Sequence, residues 1–148
     1  MNAYYPAERF LEIIENASGE DSLFSNKGGV LSATVHTGRT IEAFDLKIEF
    51  PYGSVLITAS SFLGVNEKNY DCVRALLESI NDLIQAGIFF IDEDNIISFS
   101  TRCELDDLIS VDNPFDIVFS GCEAFGMFEK AILKSLTGTN IFYMNNLQ

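Results

Sequence analysis

The side chains with catalytic potential in this sequence are a single histidine and three cysteines, all far apart along the chain. His36 is the only residue that could act as the base of a Ser-His-Asp triad, and no G-x-S-x-G sequence supplies a nucleophile for it. Cys72, Cys103 and Cys122 form no C-x-x-C pair, and each lies on an apolar stripe, where a thiol packs as a small hydrophobic group. We therefore predict no catalytic residue, a structural or solvated His36, and three reduced, unreactive thiols.

A second candidate is the acidic sequence Asp92–Asn95, which resembles the start of a calcium-binding loop. An EF-hand loop would require glycine at its sixth position and glutamate at its twelfth. Those positions hold Ile97 and Cys103. The sequence therefore predicts a hairpin turn and no metal site.

The remaining carboxylates and glycines are equally unspecific. An acidic run is formed by Glu104, Asp106, Asp107 and Asp112. A paired-carboxylate acid/base site would need one of them in a desolvated pocket. We predict a solvated loop instead, with a docking edge for a basic partner as the alternative. Gly28-Gly29 precedes a strand and not a helix, so no phosphate-binding loop and no cofactor are expected.

The composition limits the possible partners. The 148 residues are predicted to form one domain, 1–148, with 22 acidic and 9 basic residues and a net charge of −13. Nucleic acids and anionic membranes depend on clustered cations, which are absent, so neither is an expected partner. A basic or amphipathic protein is compatible, although acidity also serves solubility alone. The odd cysteine count, the lack of a secretory signal and the lack of a long apolar run favour a cytoplasmic protein.

Hydrophobic periodicity predicts an α+β fold in the order α-β-β-β-α-β-β-α, with a five-stranded antiparallel sheet packed by helices. The helices are predicted over residues 6–17, 67–86 and 113–137. The strands are predicted over residues 29–37, 44–50, 54–61, 88–91 and 97–103, after a polar loop at 18–28. The apolar stripe of the central helix is expected to pack on the sheet; it contains Val73, Leu76, Leu77, Ile80, Leu83 and Ile84.

The last predicted helix is apolar on more than one face, which is unusual for a surface helix. Gly121 and Gly126 mark either a close approach of another element or a break. The candidate surface for a partner or a second copy comprises Phe115, Phe119, Phe125 and Phe128. Residues two apart on a helix face nearly opposite ways, so one sheet cannot cover these rings together with Ile117, Val118 and Met127, and we predict a homodimer. The alternative is that the apolar tail Ile141–Met144 covers the helix within one chain.

The chain resembles the YbjN family of bacterial proteins, which shares the type III secretion chaperone-like fold. The most specific stretch runs from Val73 to Arg102. It contains a helix ending in Ile80-Asn81-Asp82-Leu83, then Gly87, the strand Ile88–Ile91, an acidic turn and the return strand Ile96–Phe99. The preceding β-hairpin and the helical C-terminal segment also fit the family.

This resemblance implies a small, acidic, cytosolic homodimer that is not an enzyme. It further implies that the protein holds an extended segment of a partner protein against grooves and sheet edges, by strand addition and apolar anchors. We therefore predict a protein-binding module. The alternatives are a small-molecule-sensing or regulatory domain, with a pocket between the first helix and the sheet, and an enzyme with an unfamiliar site.

Overall fold

A computed structural model of the chain describes residues 4–19 and 23–138. Over these residues the protein has an α+β fold with six strands and six α-helices. The strands are β1 Ser25–Lys27, β2 Val30–His36, β3 Ala43–Glu49, β4 Ser54–Gly64, β5 Ile88–Ile91 and β6 Ile96–Glu104. The helices are α1 Tyr4–Ser18, α2 Tyr70–Asn81, α3 Leu105–Ser110, α4 Phe115–Val118, α5 Ser120–Met127 and α6 Glu129–Ser135. None of the helices in the described ranges is long and apolar enough to cross a membrane.

The sheet is antiparallel throughout, with the strand order β1-β2-β3-β4-β6-β5. It has six strands, so the prediction of five was wrong. The additional strand, β1, lies in the segment predicted as a polar loop. It pairs with β2 through a turn at Gly28-Gly29, whose positive φ values of 64° and 88° suit a two-residue hairpin. All three β1 side chains are exposed, so this strand carries no alternation by which it could be predicted.

The two faces of the sheet differ in their side chains. Phe44, Leu46 and Ile48 of β3 are buried under the helices, while Asp45 and Lys47 between them are exposed on the opposite side. The neighbouring strands alternate in the same sense. We call the side under the helices the covered face and the other side the open face.

Helix α2 is shorter than the predicted 67–86. Its stripe residues Val73, Leu76, Leu77 and Ile80 are buried, as predicted. The prediction was wrong for Leu83, which is 65% exposed and lies beyond the end of the helix. At the end of the helix, the side chain of Asn81 is hydrogen-bonded to β5, as described below.

The segment before α2 is organised by two asparagines. Asn69 occupies the position immediately before the helix, and Asn66 lies three residues earlier. The Oδ1 atom of Asn66 accepts from the backbone N–H of Lys68 and of Asn69, at 2.9 and 3.1 Å. In return, the Oδ1 atom of Asn69 accepts the N–H of Asn66 at 2.8 Å. The Nδ2 atom of Asn69 also donates to the carbonyl of Leu136 at 2.9 Å, which attaches the end of α6 to the start of α2.

The predicted C-terminal helix 113–137 is three consecutive helices. The breaks lie at Phe119 (φ −100°, ψ 13°) and Phe128 (φ −111°, ψ 18°), both outside the α-helical region. Neither glycine is a break. Gly121 is a close approach to the sheet, since a Cβ there would be 2.6 Å from the Cβ of Ala59, and Gly126 lies against the guanidinium of Arg39.

The two breaks interrupt the helix, so the apolar residues do not lie on one continuous regular helix. Val118, Cys122, Phe125 and Ile132 are all buried in a single chain. The tail Ile141–Met144, predicted to cover this region as an alternative to dimerisation, lies outside the described residues.

Candidate functional site

The residues with catalytic potential do not come together. His36 is exposed at the end of β2, where it pairs with Ala43 of β3. The three cysteines are free thiols. Burial raises the pKa of Cys122 to about 11, and burial together with the carboxylates of Asp107 and Glu104 raises that of Cys103 to about 11. Both thiols are therefore protonated at neutral pH, which agrees with the predicted lack of reactivity.

The acidic sequence Asp92–Asn95 forms the predicted hairpin turn between β5 and β6. The Oδ1 atom of Asp92 accepts from the N–H of Asp94 at 2.9 Å and from that of Ile96 at 3.0 Å. Its Oδ2 atom accepts from the hydroxyl of Ser98 at 3.2 Å. The carboxylate of Asp92 is therefore used to hold the turn. Across the described ranges, no group of three or more His, Cys, Asp or Glu residues could hold a metal ion.

The acidic run after β6 was predicted as a solvated loop, but it contains helix α3. Glu104 and Asp107 form a capping box, in which each side chain accepts a backbone N–H of the other residue; the bond from the Glu104 N–H to the Asp107 Oδ2 is 2.8 Å. Asp106 and Asp112 are exposed, as expected of a solvated segment. Two of the four carboxylates thus have a structural role in starting the helix.

The four candidate phenylalanines have different surroundings. Phe125 is 0% exposed, and its ring centroid lies 4.9 Å from that of Phe44 and 5.0 Å from that of Phe89. It is a core residue and cannot form part of a surface, because its ring packs against those of Phe44 on β3 and Phe89 on β5. Phe115 and Phe119 are half-buried and stack with centroids 5.8 Å apart. Phe128 is also half-buried.

Hydroxyl side chains dominate the open face of the sheet. They occur on four strands; they are Ser25, Ser32, Thr34, Thr58, Ser60, Ser98 and Ser100. The strand registers place Thr34 beside Asp45, Asp45 beside Ser60, and Ser60 beside Ser98 in one row across the sheet. The hydroxyl of Thr34 donates to the Oδ1 atom of Asp45 at 2.9 Å. We did not predict this surface as a site, although its signal is present in the polar half of each alternating strand.

A shallow cavity of about 720 Å³ lies on the open face, and we call it the trough. Its floor comes from β2, β3 and β4, and one side comes from the β5–β6 turn with Asp92 and Asp94. Two exposed apolar side chains also line it: Leu23, which is 55% exposed, and Phe62, which is 60% exposed. The trough thus combines small polar groups, carboxylates and two apolar contacts.

The two edges of the sheet are also different. At the β5 edge, the side-chain amide of Asn81 takes the place of a neighbouring strand. Its Nδ2 atom donates to the carbonyl of Phe89 at 2.9 Å, and its Oδ1 atom accepts the N–H of Phe89 at 2.8 Å. The outward backbone groups at the middle of this edge are therefore already paired.

At the opposite edge, β1 pairs only with residues Val30 to Ser32, whereas β2 continues to His36. The N–H of Thr37 bonds to the carbonyl of Glu42 at 2.7 Å. Because backbone groups alternate in direction along an antiparallel strand, the N–H and C=O groups of the odd-numbered residues of β2 point towards β3. The backbone groups of Thr34 and His36 consequently point outward, with no strand opposite them among the residues the structure describes. The part of β2 beyond β1, residues 33–36, is called the open edge below.

No family model, curated protein or solved structure matches this chain, so its resemblance to the YbjN family remains a prediction.

Proposed function

We propose that this protein is a non-enzymatic protein-binding module that holds an extended segment of a partner protein. The observation that carries the proposal is the open edge of β2, whose outward backbone groups at Thr34 and His36 can pair with an added strand. The adjacent trough, with the exposed Leu23 and Phe62, would receive the side chains that the added strand directs towards the open face.

Charge and topology support the same proposal. A net charge of −13 disfavours nucleic acid and anionic membranes but not a basic or amphipathic protein segment. The β5 edge is capped by Asn81, so strand addition is directed to the β2 side. The resemblance to the YbjN family and to the type III secretion chaperone-like fold, where extended partner segments are bound, is in agreement with this mechanism.

The alternative, a small-molecule sensor with a pocket between α1 and the sheet, has less support. Aromatic rings pack together in that interface, and a shallow cavity of about 660 Å³ lies at its edge, beside Pro6 and Phe50. The ring of Phe10 lies 6.0 Å from that of Phe24 and 5.9 Å from that of Phe50, in edge-to-face contacts. Ala7, Ile13 and Ile14 are buried against the same cluster.

We also propose that the protein is a cytoplasmic homodimer. The support for a dimer is the C-terminal region, where Met127 is 73% exposed next to the half-buried Phe128 and the stacked pair Phe115 and Phe119 remains partly accessible. Light scattering at micromolar concentration tests this proposal: a strict monomer whose stability does not change on dilution would contradict it. The support for a cytoplasmic location is the presence of three unpaired cysteines.

Strand addition is tested by substituting Thr34. In Thr34→Pro the outward N–H is lost and the proline ring occupies the open edge, while the hydrogen bonds of β2 to β3 remain. Thr34→Val is the matched control, because it changes the side chain and keeps the N–H. A phage-displayed library of random peptides is selected against the wild-type protein, and binding of the selected peptides to each variant is measured by fluorescence anisotropy.

We expect peptides that bind the wild type and Thr34→Val but not Thr34→Pro, with circular dichroism confirming that all three proteins are folded. A library that yields no specific ligand would contradict the proposed function. Ligands that bind all three proteins equally would contradict strand addition at the open edge.

A further inference from the structure

We infer that the trough selects a positively charged segment, with a lysine or arginine at the position that faces Thr34 on the open face. This inference rests on the proposed function, because it assumes that the segment lies along the open edge. It adds the chemistry of the partner, which strand addition through backbone groups does not specify.

The charges of the trough are the first support. Three carboxylates line it, those of Asp45, Asp92 and Asp94, against one ammonium group, that of Lys47. The Nζ atom of Lys47 lies 3.7 Å from the Oε1 atom of Glu49, so this single cation already faces a carboxylate. The trough therefore presents an excess of negative charge to whatever occupies it.

Two of these carboxylates are available to a ligand. Asp92 is engaged by the β5–β6 turn and contributes a fixed negative charge. Asp45 accepts one hydrogen bond, from Thr34, and its second oxygen has no partner among the described residues. The carboxylate of Asp94 has none within the same ranges. Each can therefore accept a charge-assisted hydrogen bond from an ammonium or guanidinium group.

The geometry of strand addition selects a long side chain. A strand added outside β2 lies about 10 Å from β3, two strand spacings away, and Asp45 of β3 is next to Thr34 in the same row. A side chain that faces Thr34 on the open face must extend across β2 to reach the Asp45 carboxylate. Only lysine and arginine combine that length with a positive charge, and their aliphatic stems can lie against the exposed Leu23 or Phe62.

The same charges argue against a second copy of this chain at the trough. Each chain carries a net charge of −13, and two troughs placed face to face would bring together carboxylates of like sign. A polyanion is disfavoured for the same reason. The occupant that complements the trough is a basic extended segment.

The test uses two synthetic peptides with the same alternating valine and threonine pattern, one with arginine and the other with glutamine at alternate positions. Their dissociation constants are measured by fluorescence anisotropy with the wild type, Asp45→Asn and Asp106→Asn. Asp45→Asn keeps an acceptor for the Thr34 hydroxyl and removes the charge. Asp106→Asn is the matched control, since it removes one exposed carboxylate on α3, which does not line the trough.

We expect the arginine peptide to bind more tightly than the glutamine peptide. Asp45→Asn should raise the dissociation constant of the arginine peptide by about three- to fivefold, as for the loss of a partly exposed ion pair. Asp106→Asn should leave this dissociation constant unchanged. The difference between the peptides should shrink at high salt. If both peptides bound the wild type with equal affinity and neither bound Thr34→Pro, this inference would be overturned and the proposed function would stand. Failure of both peptides to bind would overturn both.

Discussion

The covered and open faces of the sheet are built by the same strands, yet their side chains meet different requirements. Residues of the covered face pack in the hydrophobic core: Phe44, Leu46 and Ile48 are each at most 1% exposed. Residues of the open face, such as Thr34, Asp45 and Ser60, are hydrogen-bonded or solvated and fill no core. The comparison indicates that stability depends on the covered face, whereas the open face and its open edge are available for recognition.

The largest expected effect of a substitution is therefore on the covered side. Leu77→Ala removes a buried side chain that is 3% exposed and should lower the free energy of unfolding by about 2–5 kcal/mol. Thr58→Ala, on the open face, should change it by no more than about 0.5 kcal/mol. Urea unfolding of both variants checks this pair. Similar losses in the two variants would contradict the division of roles between the faces.

The two glycines of α5 allow a finer comparison. A Cβ at Gly121 would meet Ala59 and Phe99 of the covered face, at 2.6 and 3.3 Å, whereas one at Gly126 would meet the flexible end of Arg39. After allowing for the better helix propensity of alanine, Gly121→Ala should destabilise by about 1–2 kcal/mol. Gly126→Ala should stay within about 0.5 kcal/mol of the wild type, because the guanidinium can move. Thermal unfolding of the two variants side by side measures this difference; a reversed order would show that α5 is not held closely against the sheet.

A smaller effect is expected at the capped β5 edge. Asn81→Ala removes both hydrogen bonds to Phe89 and leaves these backbone groups to water, at a cost of about 1 kcal/mol. The amide of Phe89 should then exchange with solvent faster, as measured by NMR hydrogen exchange. Ser79→Ala on the same helix is the control, since its hydroxyl bonds only to the carbonyl of Ala75, at 3.1 Å. An unchanged exchange rate at Phe89 in Asn81→Ala would mean that this amide does not protect the edge.

The sequence was sufficient to predict the parts of the fold that repeat locally. The alternation of Phe44, Leu46 and Ile48 and the stripe of Val73, Leu76 and Ile80 both face the core, because a residue's position in a strand or helix determines the side on which it lies. The α+β class follows from those periodicities. Strand β1 could not be predicted in this way, since its residues are polar and only the pairing with β2 makes them a strand.

The features that define the candidate site depend on contacts between distant parts of the chain. The capping of β5 by Asn81 and the end of β1 at Ser25 determine which edge remains open, and neither has a periodic signal. The burial of Phe125 likewise depends on contacts with Phe44 and Phe89 of the sheet, and its assignment to a surface was wrong. The hydroxyl residues of the open face were visible in the sequence, but as the solvated side of each strand they gave no sign of a trough.

The central claim, that a partner segment adds as a strand to the open edge, is tested most directly by residue-resolved amide hydrogen exchange along β2. In the free protein the amides of Ala33 and Val35, which face β3, should be protected, and those of Thr34 and His36 should exchange rapidly. Saturation with a bound peptide should slow exchange at Thr34 and His36 and leave Ala33 and Val35 unchanged. A peptide that binds without slowing exchange at Thr34 and His36 would contradict the account.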